Sequence, residues 1–259
     1  MNLRETAKCL LHDFDIHKPG SIFERKELSI SINNAYDLQF EVAAMRESRG
    51  ERIAGYKIGC ISDTMQRQLG IEQPVFGHLW DTEIYPSGAQ LDTENFDGLA
   101  IEGELAVRLL DDVPSARWLR NNPQVVSSYF LVIELHNYVF RGTEINRAVE
   151  LVTNNAIHAG VVIANEETPL TRFNRGAIIR VIRNAERIGE GVPAHLQHGA
   201  IDVVATVSEH LELRGLNLKR GQLVLTGSPL PLWRVTAGDR IMVQCDGLSD
   251  VCCEVTKRN

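Results

Sequence analysis

The chain has 259 residues, with 27 Lys and Arg against 34 Asp and Glu, for a net charge of −7. At about 150 residues per domain this is one large domain, or one with a small appendage, and it is long enough to bury a sizeable core. An apolar fraction of 44% with 24% charged residues excludes a disordered, collagen-like or coiled-coil chain. The acidic balance argues against a nucleic-acid or anionic-membrane partner, which needs a basic face. No apolar run approaches the roughly 18 residues of a membrane-spanning helix. The stretch from Met1 to Gly20 carries His12, Asp13, Asp15 and His17 where a secretory signal has its apolar centre. Cys9, Cys60, Cys245, Cys252 and Cys253 form an odd set without framework spacing. They read as reduced structural thiols of a cytoplasmic protein. The adjacent Cys252 and Cys253 would face opposite sides of a strand and cannot share one metal.

In chain order, Glu5 to Phe14 reads as a short amphipathic helix, broken by Lys18-Pro-Gly-Ser21. A second helix is predicted from Ile32 to Ser48, capped by Asn33 or Asn34 and ended by Arg49-Gly50. From Ala54 the helical period gives way to short runs. Gly55-Tyr-Lys-Ile-Gly59 reads as a strand with close backbone approach. Ser62 to Leu69 reads as a helical turn stopped by Gly70. Pro74 to Gly77 and Pro86 to Gly88 are punctuation. Strands follow at Leu99 to Leu110, Ser128 to Leu135 and Ala159 to Ala164. Ala177 to Ala185 is a hairpin arm with its turn at Gly189-Glu-Gly191. Ile201 to Arg214 is a helix with Gly215 as its stop. Gln222 to Thr226, Arg240 to Cys245 and Val251 to Val255 close the chain as strands. The organisation is a helical N-terminal region, residues 1–50, and a β-rich body, residues 51–259, acting as a single functional unit.

The chemistry concentrates in Ile101-Glu-Gly-Glu-Leu-Ala-Val107. Side chains alternate along a strand, so Glu102 and Glu104 point the same way. Like charges side by side among apolar neighbours must be offset by a cation, a basic side chain or a proton. A third acid, Glu134, sits inside the apolar run Tyr129-Phe-Leu-Val-Ile-Glu-Leu135. A carboxylate there needs a partner or a metal. Three carboxylates suit Mg²⁺ or Mn²⁺ better than zinc. Spacing alone leaves open a solvated Glu102-Glu104 edge with Glu134 paired to an Arg. Lys57, flanked by Gly55 and Gly59, can reach inward with its pKa lowered by burial and then stabilise negative charge or move protons. It can equally snorkel to solvent. His136, two residues after Glu134, would share that face and support the acids. His78 and His158 are open between pocket and core, and His195 and His198 read as surface.

These residues, with Gln66-Arg-Gln-Leu-Gly70, Pro74, Phe76-Gly77, Val132-Ile-Glu134, Asn154-Asn-Ala-Ile-His-Ala-Gly160, Leu218-Lys-Arg-Gly-Gln-Leu-Val-Leu-Thr-Gly227-Ser228 and Ala237-Gly-Asp239, stand in a familiar order. Over residues 30–255 the chain resembles the 2-keto-4-pentenoate hydratase family, the hydratase and decarboxylase branch of the fumarylacetoacetate hydrolase superfamily. The resemblance implies an α+β fold, a mixed β-roll or barrel-like body with a small helical N-terminal part. It implies a Mg²⁺ or Mn²⁺ ion held by Glu102, Glu104 and Glu134, with Lys57 as the active-site lysine. Ser62, Asn155, Thr226, Gly227 and Ser228 fall in loops that would hold the substrate, a short 2-hydroxy-2,4-dienoate or its 2-oxo tautomer from meta-cleavage of aromatic rings. It further implies a homo-oligomer, with a pathway enzyme as an optional partner.

The chain also departs from the family pattern. Thr82 stands where hydratases often carry an acid, which leaves the second proton-transfer group open between Asp81, Glu83 and none. The usual Asp-Asn-Ala-Ser becomes Asn154-Asn-Ala-Ile157. Hydration is the first expectation, with Glu134 in place of the Asp common among C–C hydrolases. A 4-oxalocrotonate-type decarboxylase is the alternative, ahead of a C–C bond hydrolase or a non-catalytic binder.

Overall fold

The computed structural model describes residues 2–25, 30–169, 176–193 and 199–257. Two helices lead the chain, α1 (Leu3–Asp15) and α2 (Ile32–Ser48), and they pack on each other. Ser31, not Asn33 or Asn34, caps α2: its hydroxyl accepts the Asn34 amide at 3.2 Å. Ser31 is the last extended residue, so only its side chain can turn back onto the first free amides.

The body begins with β1 (Ile53–Gly59), followed by α3 (Asp63–Leu69), β2 (Val75–Trp80), β3 (Ile84–Pro86) and β4 (Ala89–Asp92). The long strands β5 (Leu99–Leu109) and β6 (Val126–Asn137) flank the short α4 (Ala116–Asn121). Then come α5 (Arg147–Thr153), β7 (His158–Ile163), β8 (Thr168–Pro169), β9 (Ile179–Arg183), β10 (Glu186–Gly191) and α6 (Ala200–Glu212). The chain ends with β11 (Leu223–Leu225), β12 (Trp233–Arg234), β13 (Arg240–Cys245) and β14 (Val251–Thr256). Two mixed sheets result among the described residues. The larger runs β2-β1-β11-β5-β6-β7-β3, with β12 on β5 and β8 on β6, and the smaller runs β10-β9-β13-β14-β4. The predicted β-rich body with few helices is the observed fold.

The apolar runs explain the central pairing. Leu131, Val132, Ile133 and Leu135 of β6 are fully buried, as expected of a strand covered on both faces. Gly103 shows why β5 carries a glycine between its acids. A Cβ there would lie 2.8 Å from Val181 and 3.0 Å from Val243, so the smaller sheet packs directly onto that face. The opposite face, with Glu102 and Glu104, is left for chemistry.

Two further expectations are corrected. Pro74 to Gly77 is not mere punctuation: Val75 opens β2, a strand buried along its whole length. The hairpin of β9 and β10 turns at Asn184-Ala185, with φ of 53° and 68°, while Gly189-Glu-Gly191 lies within β10. Two left-handed residues match the twist of the flanking strands, and Asn184 secures the turn by bonding Asp239 and the Arg240 amide. All five cysteines are free, with Cys252 half-buried and Cys253 buried, as alternation on β14 requires. His195 and His198 lie outside the described residues.

Candidate active site

Register brings the acids together. Glu102 of β5 lies directly opposite Glu134 of β6, and Glu104 lies opposite Val132. Opposed residues in an antiparallel pair share a face, so all three carboxyl groups converge. β11 bridges β5 to β1 through Leu225, which pairs with both Ala106 and Lys57, and this puts Lys57 on the same face. Lys57 does not snorkel: it is 4% exposed, and its Nζ sits 3.2 Å from Glu134 Oε1.

Two histidines complete the cluster, one by an irregularity. Glu134 pairs with Val161 and Leu135 with Gly160, but His136 pairs with His158, so Ala159 is an extra residue in β7. Without that bulge His158 would face away from Glu134; with it, the ring turns inward. Its Nδ1 donates to Glu134 Oε1 at 2.8 Å. Oε1 therefore receives both Lys57 and His158, which leaves Oε2 aimed at Glu102 and His136. His136 Nε2 stands 3.5 Å from Glu134 Oε2 and 3.4 Å from Glu102 Oε2.

The electrostatics are uneven. Burial opposes the charge on Lys57, yet Glu134, Glu102 and Glu104 outweigh it and raise its pKa. The expectation of a lysine pKa lowered by burial is thus reversed, because the acids lie so close. Burial would also raise Glu134, but Lys57, His136 and His158 together hold it well below the usual carboxylate range. Glu104 goes the other way: burial, then Glu134 and Glu102, push it well above that range. It is 0% exposed, and neither of its oxygens meets a donor among the described residues. Three acids thus face one ammonium inside the protein, an arrangement that calls for further positive charge. The donor set of carboxylate oxygens fits a hard divalent cation. Glu102, Glu134 and His136 offer ligand atoms that all lie within 4.8 Å of one another, with Glu104 beside them.

The loops that close the site are of two kinds. Thr226 donates its hydroxyl to Leu105 O at 2.8 Å, and Ser228 donates to Gly103 O at 3.1 Å. These carbonyls flank Glu104, so Thr226, Gly227 (φ 90°) and Ser228 lie beside it. Asn155, Ala156 and Ile157 form a strained left-handed run with φ of 56°, 52° and 55°. The Asn155 amide holds the run on β2, accepting the His78 N–H at 2.7 Å and donating to its carbonyl at 2.9 Å. That run delivers His158. Ser62 is exposed, and its hydroxyl caps α3 by accepting the Met65 amide. Asp81 is exposed and bonded to Arg52. Glu83 is buried against Arg46, where burial outweighs that cation and raises its pKa. Burial pushes the Cys60 thiol up to about 11, toward the protonated form.

The architecture is a pair of mixed sheets with an acidic centre on the open face of the longest strand pair. Residues 62–256 match the model of the fumarylacetoacetate (FAA) hydrolase C-terminal family, and the chain belongs to that family. It is 27% identical over 232 residues to 2-hydroxyhexa-2,4-dienoate hydratase of Comamonas testosteroni, spanning 88% of each chain. It is also 27% identical over 219 residues to 2-keto-4-pentenoate hydratase of Burkholderia vietnamiensis, spanning 84% of this chain and 83% of that one. Among solved structures, 4-oxalocrotonate decarboxylase from Pseudomonas putida G7, complexed with magnesium and adipate, superposes with a TM-score of 0.86 at 22% identity. That match covers 98% of this chain and 97% of the other.

Proposed function

We propose that this protein is a lyase, a metal-dependent hydratase that converts a short 2-hydroxy-2,4-dienoate into a 4-hydroxy-2-oxo acid during aromatic-ring breakdown. The observation that carries the reading is the trio of acids facing one lysine, Glu104 and Glu134 buried and Glu102 half-buried, with both Glu104 oxygens lacking a donor among the described residues. Glu102, Glu104 and Glu134 hold a Mg²⁺ or Mn²⁺ ion. Similarity to two hydratases over most of the chain supports the reaction.

Bound by these residues, the ion would supply a Lewis acid to the 2-oxo acid end of the substrate. Lys57, held charged beside Glu134, steadies the negative charge on the 2-oxygen, gives its proton to C5 and takes up the 2-hydroxyl proton in return. The product of that step is a conjugated 2-oxo-3-enoate. Water then adds at C4, and C3 takes up a proton. The loop of Thr226, Gly227 and Ser228, anchored beside Glu104 by its two hydroxyls, borders the substrate carboxylate. Ser62 and Asn155 serve from the margin, since their side chains already cap α3 and clamp β2. Glu83 is engaged by Arg46 and Asp81 by Arg52, so neither is assigned the second proton transfer. The free cysteines fit a cytoplasmic setting, and exposed Ile145 and Leu213 offer apolar contacts for self-association.

The test is the ultraviolet loss of a dienoate chromophore. Loss with Mg²⁺ or Mn²⁺, none with chelator, and no carbon dioxide evolved is the expected result. Carbon dioxide released from a 2-oxo-dioate would instead make the protein a decarboxylase. No chromophore loss and no carbon dioxide with either ion would sink the enzymatic reading.

A further inference from the structure

His136 is the least explained group in the cluster. It is 1% exposed, and neither ring nitrogen has a hydrogen-bond partner among the described residues. A buried imidazole without a partner is costly and needs a reason. Its Nε2 is 3.4 Å from Glu102 Oε2 and 3.5 Å from Glu134 Oε2. Hydrogen bonds from ring nitrogens to carboxylates are shorter, about 2.7–2.9 Å when charge-assisted. Atoms that share one ion at about 2.1 Å stand about 3 Å apart at neighbouring octahedral positions, so the observed spacing suits co-ligands better than a hydrogen-bonded pair. The other Glu134 oxygen already receives His158 at 2.8 Å and Lys57 at 3.2 Å. The oxygen facing His136 is therefore the one available to an ion.

Resting on the metal-dependent reading above, we infer that His136 Nε2 is a nitrogen ligand of the same ion, and that the resident metal is Mn²⁺ rather than Mg²⁺. Carboxylates alone suit either ion. An imidazole nitrogen is a softer donor, and it shifts the preference toward a transition metal. The His136 ring lies across the strand pair from His158, but the two have separate tasks: His158 holds the carboxylate, and His136 meets the ion.

The experiment is pulsed electron paramagnetic resonance of the full chain loaded with Mn²⁺. The expected spectrum contains ¹⁴N modulation from a directly bound imidazole, converted to a ¹⁵N pattern when the protein is grown on [¹⁵N]histidine. His136→Gln loses the modulation, while His158→Gln retains it. The same His136→Gln change weakens Mn²⁺ binding more than Mg²⁺ binding in competition titrations. Stoichiometric Mn²⁺ with an all-oxygen spectrum in the unaltered protein overturns this inference and leaves the metal-dependent reading intact. Modulation that survives His136→Gln and disappears in His158→Gln assigns the nitrogen to the wrong ring and overturns it equally. If the protein binds no divalent ion at all, the metal-dependent reading fails, and the inference goes with it.

Discussion

Around Arg46 the buried charges balance, whereas around Glu134 they do not. Arg46, 3% exposed, bonds Glu51 at 2.8 Å and Glu83 at 2.7 Å, and its guanidinium lies 3.9 Å and 4.0 Å from the ring centres of Phe14 and Trp80. Arg49 supplies a second cation to Glu51. Two cations meet Glu51 and Glu83, Arg49 also holding the exposed Asp15 at 2.8 Å, and stacked rings cover the guanidinium of Arg46. Such a cluster can only staple the helices to β2 and the segment after it. Among the described residues, the centre on β5 and β6 sets three carboxyl groups against Lys57 and leaves both Glu104 oxygens and both His136 nitrogens without partners, where the Arg46 cluster leaves only Glu83 Oε2. Folding alone gains nothing from that surplus of negative charge. The contrast shows that the imbalance, not burial as such, marks the functional cluster.

The largest effect should follow from changing Glu104. Glu104→Gln should abolish metal-dependent turnover while leaving the fold intact. Without added metal its melting temperature should stay level or rise, because a surplus buried acid has gone. Full activity without a bound ion would refute the ligand assignment. Arg46→Met should do the reverse. Removing one partner of a buried pair strands the others, at a cost of about 3–5 kcal/mol in urea unfolding. Turnover per folded molecule should change little. A destabilisation by Glu104→Gln as large as that by Arg46→Met would erase the distinction between the clusters. Next in size, Lys57→Met should lower turnover about 10²-fold or more with metal affinity near normal. An unchanged rate would make Lys57 structural only.

The two regions differed as much in how legible they were. Glu102 and Glu104 could be read from their spacing of two residues on a strand, and Glu134 from its place in an apolar run. Both signals are local. The Arg46 cluster was invisible because Glu83 lies 37 residues away in sequence and meets Arg46 only once β2 has been laid on β1. β2 itself was missed, since Pro74 and Gly77 outweighed its short apolar run. Gly77 is there because a Cβ would lie 2.7 Å from the Asn155 carbonyl, a contact that no sequence period encodes. His158 was undecidable for a sharper reason. Alternation from Val161 puts it on the wrong face, and only the extra residue in β7 brings it to Glu134. His136 keeps the ordinary alternation from Glu134 and was legible as a neighbour of the acids.

The role of His158 can be separated by a pair of conservative changes. Asn places an amide nitrogen where Nδ1 stands, and Gln places one where Nε2 stands. His158→Asn should keep the donor to Glu134 and bind Mn²⁺ close to normally. His158→Gln should lose the donor and about tenfold or more in affinity, the usual size for a group that orients a metal ligand. Equal affinities measured by titration calorimetry would mean that the ring only fills space.

The smallest effect belongs to the balanced side, at mild acidity. Burial, aided by the nearby Arg46 and Arg214, lowers the pKa of His78 to about 4, and burial lowers His210 to about 3. His210 stacks on Phe76 at 4.0 Å, and His78 packs between Phe40 and Tyr56. In the unfolded chain these rings titrate near 6.5, so between about pH 6.5 and 4 the unfolded state binds more protons than the folded one. Stability must therefore fall as the pH drops through that window. For His78 the loss at pH 5.5 is about 1 kcal/mol. Urea midpoints at pH 7.5 and 5.5 measure it. His78→Phe should flatten the dependence, because a ring that cannot take a proton gives the unfolded state no advantage. If the slope between the two pH values is the same with and without that ring, the proton is being taken up elsewhere, and the aromatic layer does not set the acid limit of the fold.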